Sequence, residues 1–91
     1  SNLKSALILK NSEPLSGTVE GISSVTIPHN VATPSGYILV GGFSRVTGNQ
    51  ALLIRAFTES SVSIANISNT SIKFNSVSIS LLFAKKSLMG L

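Results

Sequence analysis

Hydrophobic and polar residues alternate with a period of two along much of this chain. The clearest stretch lies near the C-terminus, where Val77, Ile79, Leu81 and Phe83 hold one parity and Ser76, Ser78 and Ser80 the other. That spacing puts the apolar side chains on one face of a strand and a hydroxyl-covered face toward water. Leu82 interrupts the polar parity near the end of the run. A second alternating run is Ser61 to Ile67, with Val62 and Ile64 inward and Ser61 and Ser63 outward. Shorter runs precede these: Ala6 to Lys10, Leu15 to Val19, and Val25-Thr26-Ile27, which Pro28 stops. Turn-forming stretches such as "NSEP" and "SNTS" separate them, and helical periodicity is hard to find. The pattern predicts seven or eight short antiparallel strands in one all-β domain, a small sandwich or barrel.

The longest apolar stretch is predicted to be a hairpin. Tyr37 to Val46 runs into "TGNQ", Ala51 to Glu59 returns, and Gly48-Asn49 suits a two-residue turn with positive φ. In that register Val46 faces Ala51, Phe43 faces Ile54 and Gly42 faces Arg55. One face then carries Tyr37, Leu39, Phe43, Leu52 and Ile54, the other Ile38, Val40, Leu53 and Phe57. Both faces are apolar, whereas an outer hairpin of a lone sandwich keeps one polar face. A second copy of the chain is the expected cover.

Composition agrees. Ninety-one residues make a thin core, and small domains compensate with disulfides, metals or oligomerisation. There is no Cys, one His and no Asp, so a disulfide or a metal site is not expected. The mean hydropathy is +0.43 with 11% charged residues, apolar for a monomer in water, which leaves oligomerisation. No run approaches the roughly 18 apolar residues of a spanning helix, so membrane insertion is not expected. The net charge of +4 comes from dispersed Lys and Arg, apart from Lys85-Lys86, without the clustered basic face of a nucleic-acid binder. The opening Ser1-Asn2 suggests a fragment with a cloning remnant, the C-terminal end of a longer fibre-like protein. The closing "KKSLMGL" is expected to be frayed or docked on a partner.

The candidate chemistry is sparse. His29 follows Pro28 in a turn. A hydrolytic triad would need an orienting carboxylate, and no G-x-S-x-G elbow or Asp is present. The expected role is a loop histidine bonded to backbone or at the rim of a site, and no enzyme activity or cofactor is expected. Gly41-Gly42 lies inside a β pattern with no helix after it, so it reads as a bulge or as space for a neighbour such as Arg55. Arg55 is expected half-buried and paired. Asn66-Ile67-Ser68 and Asn69-Thr70-Ser71 fit the glycosylation triplet, which arises often in Ser/Asn-rich chains. For a saccharide site the polar or amphipathic residues near loops are His29, Tyr37, Arg45, Asn49 and Gln50.

The segment "VTIPHNVATPSGYILVGGFS", then "ALLIRAFTESSVSIANISNTSIKFNSVSISLLFAKKS", resembles a C-terminal module of phage and prophage tail, baseplate or receptor-binding proteins of Gram-positive bacteria. The shared features are "I-P-H", "P-S-G-Y" opening a hairpin, "N-T-S", and a last alternating strand ending in an aliphatic-aromatic pair and Lys, over roughly residues 15 to 87. The resemblance implies a jelly-roll-like β-sandwich head that trimerises at a virion tail tip and grips a cell-surface saccharide without catalysis. The chain departs from the pattern in lacking a Trp or an acidic sugar contact. A trimerisation or baseplate-assembly module without a ligand, or a trimeric secreted or cell-surface β-sandwich head unrelated to phage, are the alternatives.

Overall fold

The computed structural model describes residues 6–91; Ser1, Asn2 and Lys4 lie outside them. Seven strands occur among the described residues: β1 (Leu7–Asn11), β2 (Leu15–Val19), β3 (Ser23–Pro28), β4 (Tyr37–Val46), β5 (Leu52–Phe57), β6 (Ser61–Asn66) and β7 (Ile72–Lys85). A 3-10 turn, Lys86–Met89, follows β7 with its residues exposed. The described strands form two antiparallel sheets packed as a small, elongated β-sandwich of 51 × 19 × 17 Å.

β7 is the spine. It pairs with β4 on one edge, and with β1 and then β2 on the other. β1 and β2 are one edge interrupted: Leu7 pairs with Ala84, Asn11 with Ser80, Leu15 with Val77 and Val19 with Ile72. The interruption falls at Glu13-Pro14, where proline has no N–H to give the ladder, while Ser12 keeps contact through Ser12 N to Ile79 O and Ile79 N to Ser12 Oγ. The second sheet has the order β3-β6-β5.

The inner row of β7 is the centre of the core. Val77, Ile79, Leu81 and Phe83 are almost completely buried and pack against Leu15, Val19, Leu52, Val62 and Ile64. Each such side chain removed from water contributes about 1.5–3 kcal/mol. A bulge at the Leu15/Gly17 register shift switches parity, so Phe74 faces the same core as Val77. The serine row differs from its expectation. Ser76 is exposed, but Ser78 and Ser80 are buried. Ser80 Oγ donates to Asn11 Oδ1 at 2.6 Å, and Ser78 Oγ donates to Ser12 O at 3.4 Å and accepts from Arg45 Nη1 at 3.1 Å. Flanking strands on both edges cover the small hydroxyls.

The predicted β4–β5 hairpin does not form. β4 pairs with β7 and β5 with β6, in different sheets. Of the two central positions of the predicted turn, Gly48 has positive φ (73°) and Asn49 does not, so the type I′ turn, which needs it at both, does not form. Asn49 instead turns back on itself: its Oδ1 accepts from Ala51 N, and its carbonyl accepts from Leu52 N and Thr47 Oγ1. The resulting loop carries the chain from one sheet to the other, about 10 Å apart in a sandwich. The doubly apolar character of both segments therefore does not describe a two-faced ribbon. The true hairpin is β5–β6, closed by Thr58, whose N–H donates to Ser61 O and whose Oγ1 accepts from Ser61 N.

The glycines behave as expected of a bulge. The register of β4 shifts between Leu39 and Gly41, and a Cβ on Gly42 would come within 3.0–3.1 Å of Leu81, Ser80 O and Phe57. Leu81 and Phe57, not Arg55, occupy that space. Asn66 is buried and locks the β6–β7 turn: Nδ2 donates to Val19 O (3.1 Å) and Thr70 O (2.7 Å), while Oδ1 accepts from Ser68 N (2.9 Å) and Ser68 Oγ (2.7 Å). A glycan cannot be attached to it in the folded chain.

Asn66→Ala strands several of these partners and is expected to cost about 2–4 kcal/mol in urea unfolding; a loss below about 0.5 kcal/mol would contradict the role assigned to it.

Candidate functional site

His29 sits at the end of β3 and is 1% exposed. Nδ1 accepts from Val31 N at 3.0 Å, so Nε2 carries the proton and donates to Thr58 O at 2.9 Å. Its main-chain N–H reaches Ser60 O. Asn30, in the left-handed region (φ 59), turns the chain so that Val31 can reach back to the ring. The histidine thus clips the β3–β4 loop to the β5–β6 turn, with both ring nitrogens committed. Any contact that it makes with a ligand would have to use the ring carbons, since both nitrogens are hydrogen-bonded to backbone groups.

Beyond it, "PSGY" makes a type II turn, with Tyr37 N donating to Pro34 O at 3.1 Å and Gly36 at φ 82. Tyr37 then lays its ring partly against the core. Thr33 Oγ1 in this loop is buried with no hydrogen-bond partner among the described residues.

The five sequence candidates do not converge. β4 has ten residues, which separates Tyr37 from Val46 by about 30 Å at ~3.3 Å per residue. His29 and Tyr37 belong to the end near the β3–β4 loop, while Arg45, Asn49 and Gln50 belong to the other. Arg45 reaches Ser78 Oγ on the outside of the long sheet, and Asn49 is occupied in its own turn. Of the five, only Gln50 lines a groove of about 700 Å³ between β4 and β5.

That groove exists because β4 and β5 are the edge strands of opposite sheets. Its lining brings together Phe43, Ser44, Thr47, Gln50, Leu53, Arg55 and Phe57. The aromatic and aliphatic groups form walls, and the guanidinium, amide and hydroxyls supply hydrogen bonds. One cation and no carboxylate line it, which suits a neutral or anionic polyhydroxylated ligand. Arg55 is exposed, not half-buried, because the bulge between Ile54 and Ala56 turns this part of β5 outward. Sequence reasoning missed the groove because it placed β4 and β5 side by side. The one usable signal was a lone arginine within "LLIRAF". A second hollow of about 690 Å³ lies over Pro28–Thr33, Glu59 and Ser60.

No family model, characterised protein or solved structure matches this chain.

His29→Ala removes the clip and is expected to lower stability by about 2–4 kcal/mol by urea melt; a variant as stable as the parent would contradict the structural role. Thr33→Val removes a polar atom that has no partner and is expected to raise stability by about 1 kcal/mol; a drop of that size would contradict the absence of a partner.

Proposed function

We propose that this chain is a non-enzymatic adhesion head, a homotrimer of jelly-roll-like sandwiches that binds a cell-surface saccharide in the β4–β5 groove, at the tip of a phage-type tail. The observation that carries the reading is the groove itself: an open hollow walled by Phe57 and Leu53, with Gln50, Arg55, Ser44 and Thr47 on its lining. Saccharides are recognised by apolar contact with the sugar face and by hydrogen bonds to hydroxyls, and both kinds of group are present here. The commitment of both His29 nitrogens to backbone groups favours binding over hydrolysis.

The winding supports the jelly-roll description. The chain crosses between sheets from β2 to β3, β3 to β4, β4 to β5 and β6 to β7, and the last two strands fill the middle of each sheet. A jelly roll is wound in this way. A trimerisation module without a ligand is the second reading, and the uncovered apolar residues on the long sheet, Leu7 and Leu9 among them, favour it as far as association goes.

Glycan-array and whole-cell binding test the proposal. The parent protein is expected to bind a defined set of glycans, and Arg55→Ala or Gln50→Ala to weaken that binding about tenfold, equivalent to about 1.4 kcal/mol, with thermal stability unchanged. A protein that binds no glycan and no cell while still self-associating would leave the ligand-free module as the answer.

A further inference from the structure

The outer face of the long sheet has the wrong chemistry for water. The residues of β7 that point away from the core are Ser78, Ser80, Leu82 and Ala84, and their cross-strand partners are known from the register. One row reads Leu7, Ala84, Ile38; the next reads Leu9, Leu82, Gly41, with Val40 in the adjacent bulge; the third reads Asn11, Ser80, Phe43. No charged residue stands in these three rows. An antiparallel sheet that covers a core on one side ordinarily presents polar residues on the other.

The face also has relief. Its middle strand is low, with Ala84 and Ser80 buried. Its flanks are high: Leu7 is 56% exposed and Leu9 54% on one side, and Val40 is 44% and Phe43 52% on the other. Around a threefold axis the contacts are heterologous, so the raised β1 flank of one copy meets the raised β4 flank of the next. Together with Val46, these side chains leave on the order of 500 Å² of apolar surface uncovered, near the top of the roughly 300–600 Å² seen for the largest patch of a monomer. A standard interface buries about 800 Å² per partner, about 65% of it apolar in the homodimer case, so the patch supplies about half of the apolar share of the two contacts that each copy makes in a closed trimer.

We infer that this β1-β7-β4 outer face is the surface through which copies of the chain associate, and that it turns toward the common axis of the homotrimer. The inference rests on the homotrimer reading above. An identical copy is the occupant the face fits: the rows offer no charge to pair with an acidic or basic partner, and the chains, each at +4, meet across a surface without like charges. Arg45, bonded to Ser78, stands at the rim, where its charge can remain in water.

Light scattering on a sizing column, from 5 to 200 µM, tests this with the parent, Leu9→Glu and Val40→Glu, and with Leu53→Glu on the groove side as control. The parent is expected at threefold the 9.5 kDa chain mass, Leu53→Glu likewise, and both outer-face variants at the monomer mass with unchanged circular dichroism and melting. Where a glutamate impairs folding, Leu9→Ala and Val40→Thr take its place and are expected to raise the dissociation midpoint at least tenfold. A trimeric parent whose outer-face variants stay trimeric overturns the face and leaves the homotrimer reading standing. A dimeric parent that these variants dissociate supports the face and overturns the threefold axis. A parent that is monomeric throughout overturns both and leaves the face to a different protein.

Discussion

Fourteen residues of extended chain, Ile72–Lys85, are hydrogen-bonded along one edge to β2 and then β1, and from Ser78 onward along the other edge to β4. Everything else in the molecule is arranged around that strand. Its inner parity requires a second sheet, which β3, β6 and β5 provide, and its edges require partners that keep register over some 46 Å at about 3.3 Å per residue. The β1–β2 edge meets this demand with a proline-marked break, and β4 meets it with two bulges. β4 takes the second edge of β7 from Ser78 onward while β5 pairs with β6, and the gap between β4 and β5 becomes the groove.

Much of this was legible in the chain and one part was not. Apolar runs bounded by turn residues identified β2 and β4 to the residue, and period-two alternation identified the buried row Val77–Phe83, because alternation and burial are local consequences of pleat geometry. The bulge at Gly41-Gly42 and the structural role of His29 followed from residue type. Strand partnership was misread. "TGNQ" between two apolar runs looks like a hairpin turn, but here Asn49 accepts from Ala51 and Leu52 through its side chain and carbonyl, and the two runs pair with β7 and β6 instead of with each other. The apolar excess in β4 and β5 was correctly noticed, but its origin lies elsewhere: β4 turns Leu39 to the core and Val40 and Phe43 to the outer face.

The site was less legible than the fold for the same reason. Binding surfaces on a sandwich are made where edges of different sheets come close, and that closeness depends on pairing decisions many residues away. Gln50 was found because it is polar and near a turn. Arg55, Ser44 and Thr47 join it only once the sheets are stacked. His29, the one imidazole, holds two loops together through backbone hydrogen bonds, as a loop histidine was expected to.

The account centres on the long sheet being covered on both faces, by β3-β6-β5 on one and by identical copies on the other. Hydroxyl-radical footprinting of the parent over a range of concentrations reads that cover directly, side chain by side chain. Leu7, Leu9 and Phe43 are expected to be labelled in dilute protein and protected as concentration rises, while Ile67 and Leu88, exposed elsewhere, stay labelled throughout. Equal labelling of Leu7, Leu9 and Phe43 at every concentration would contradict it.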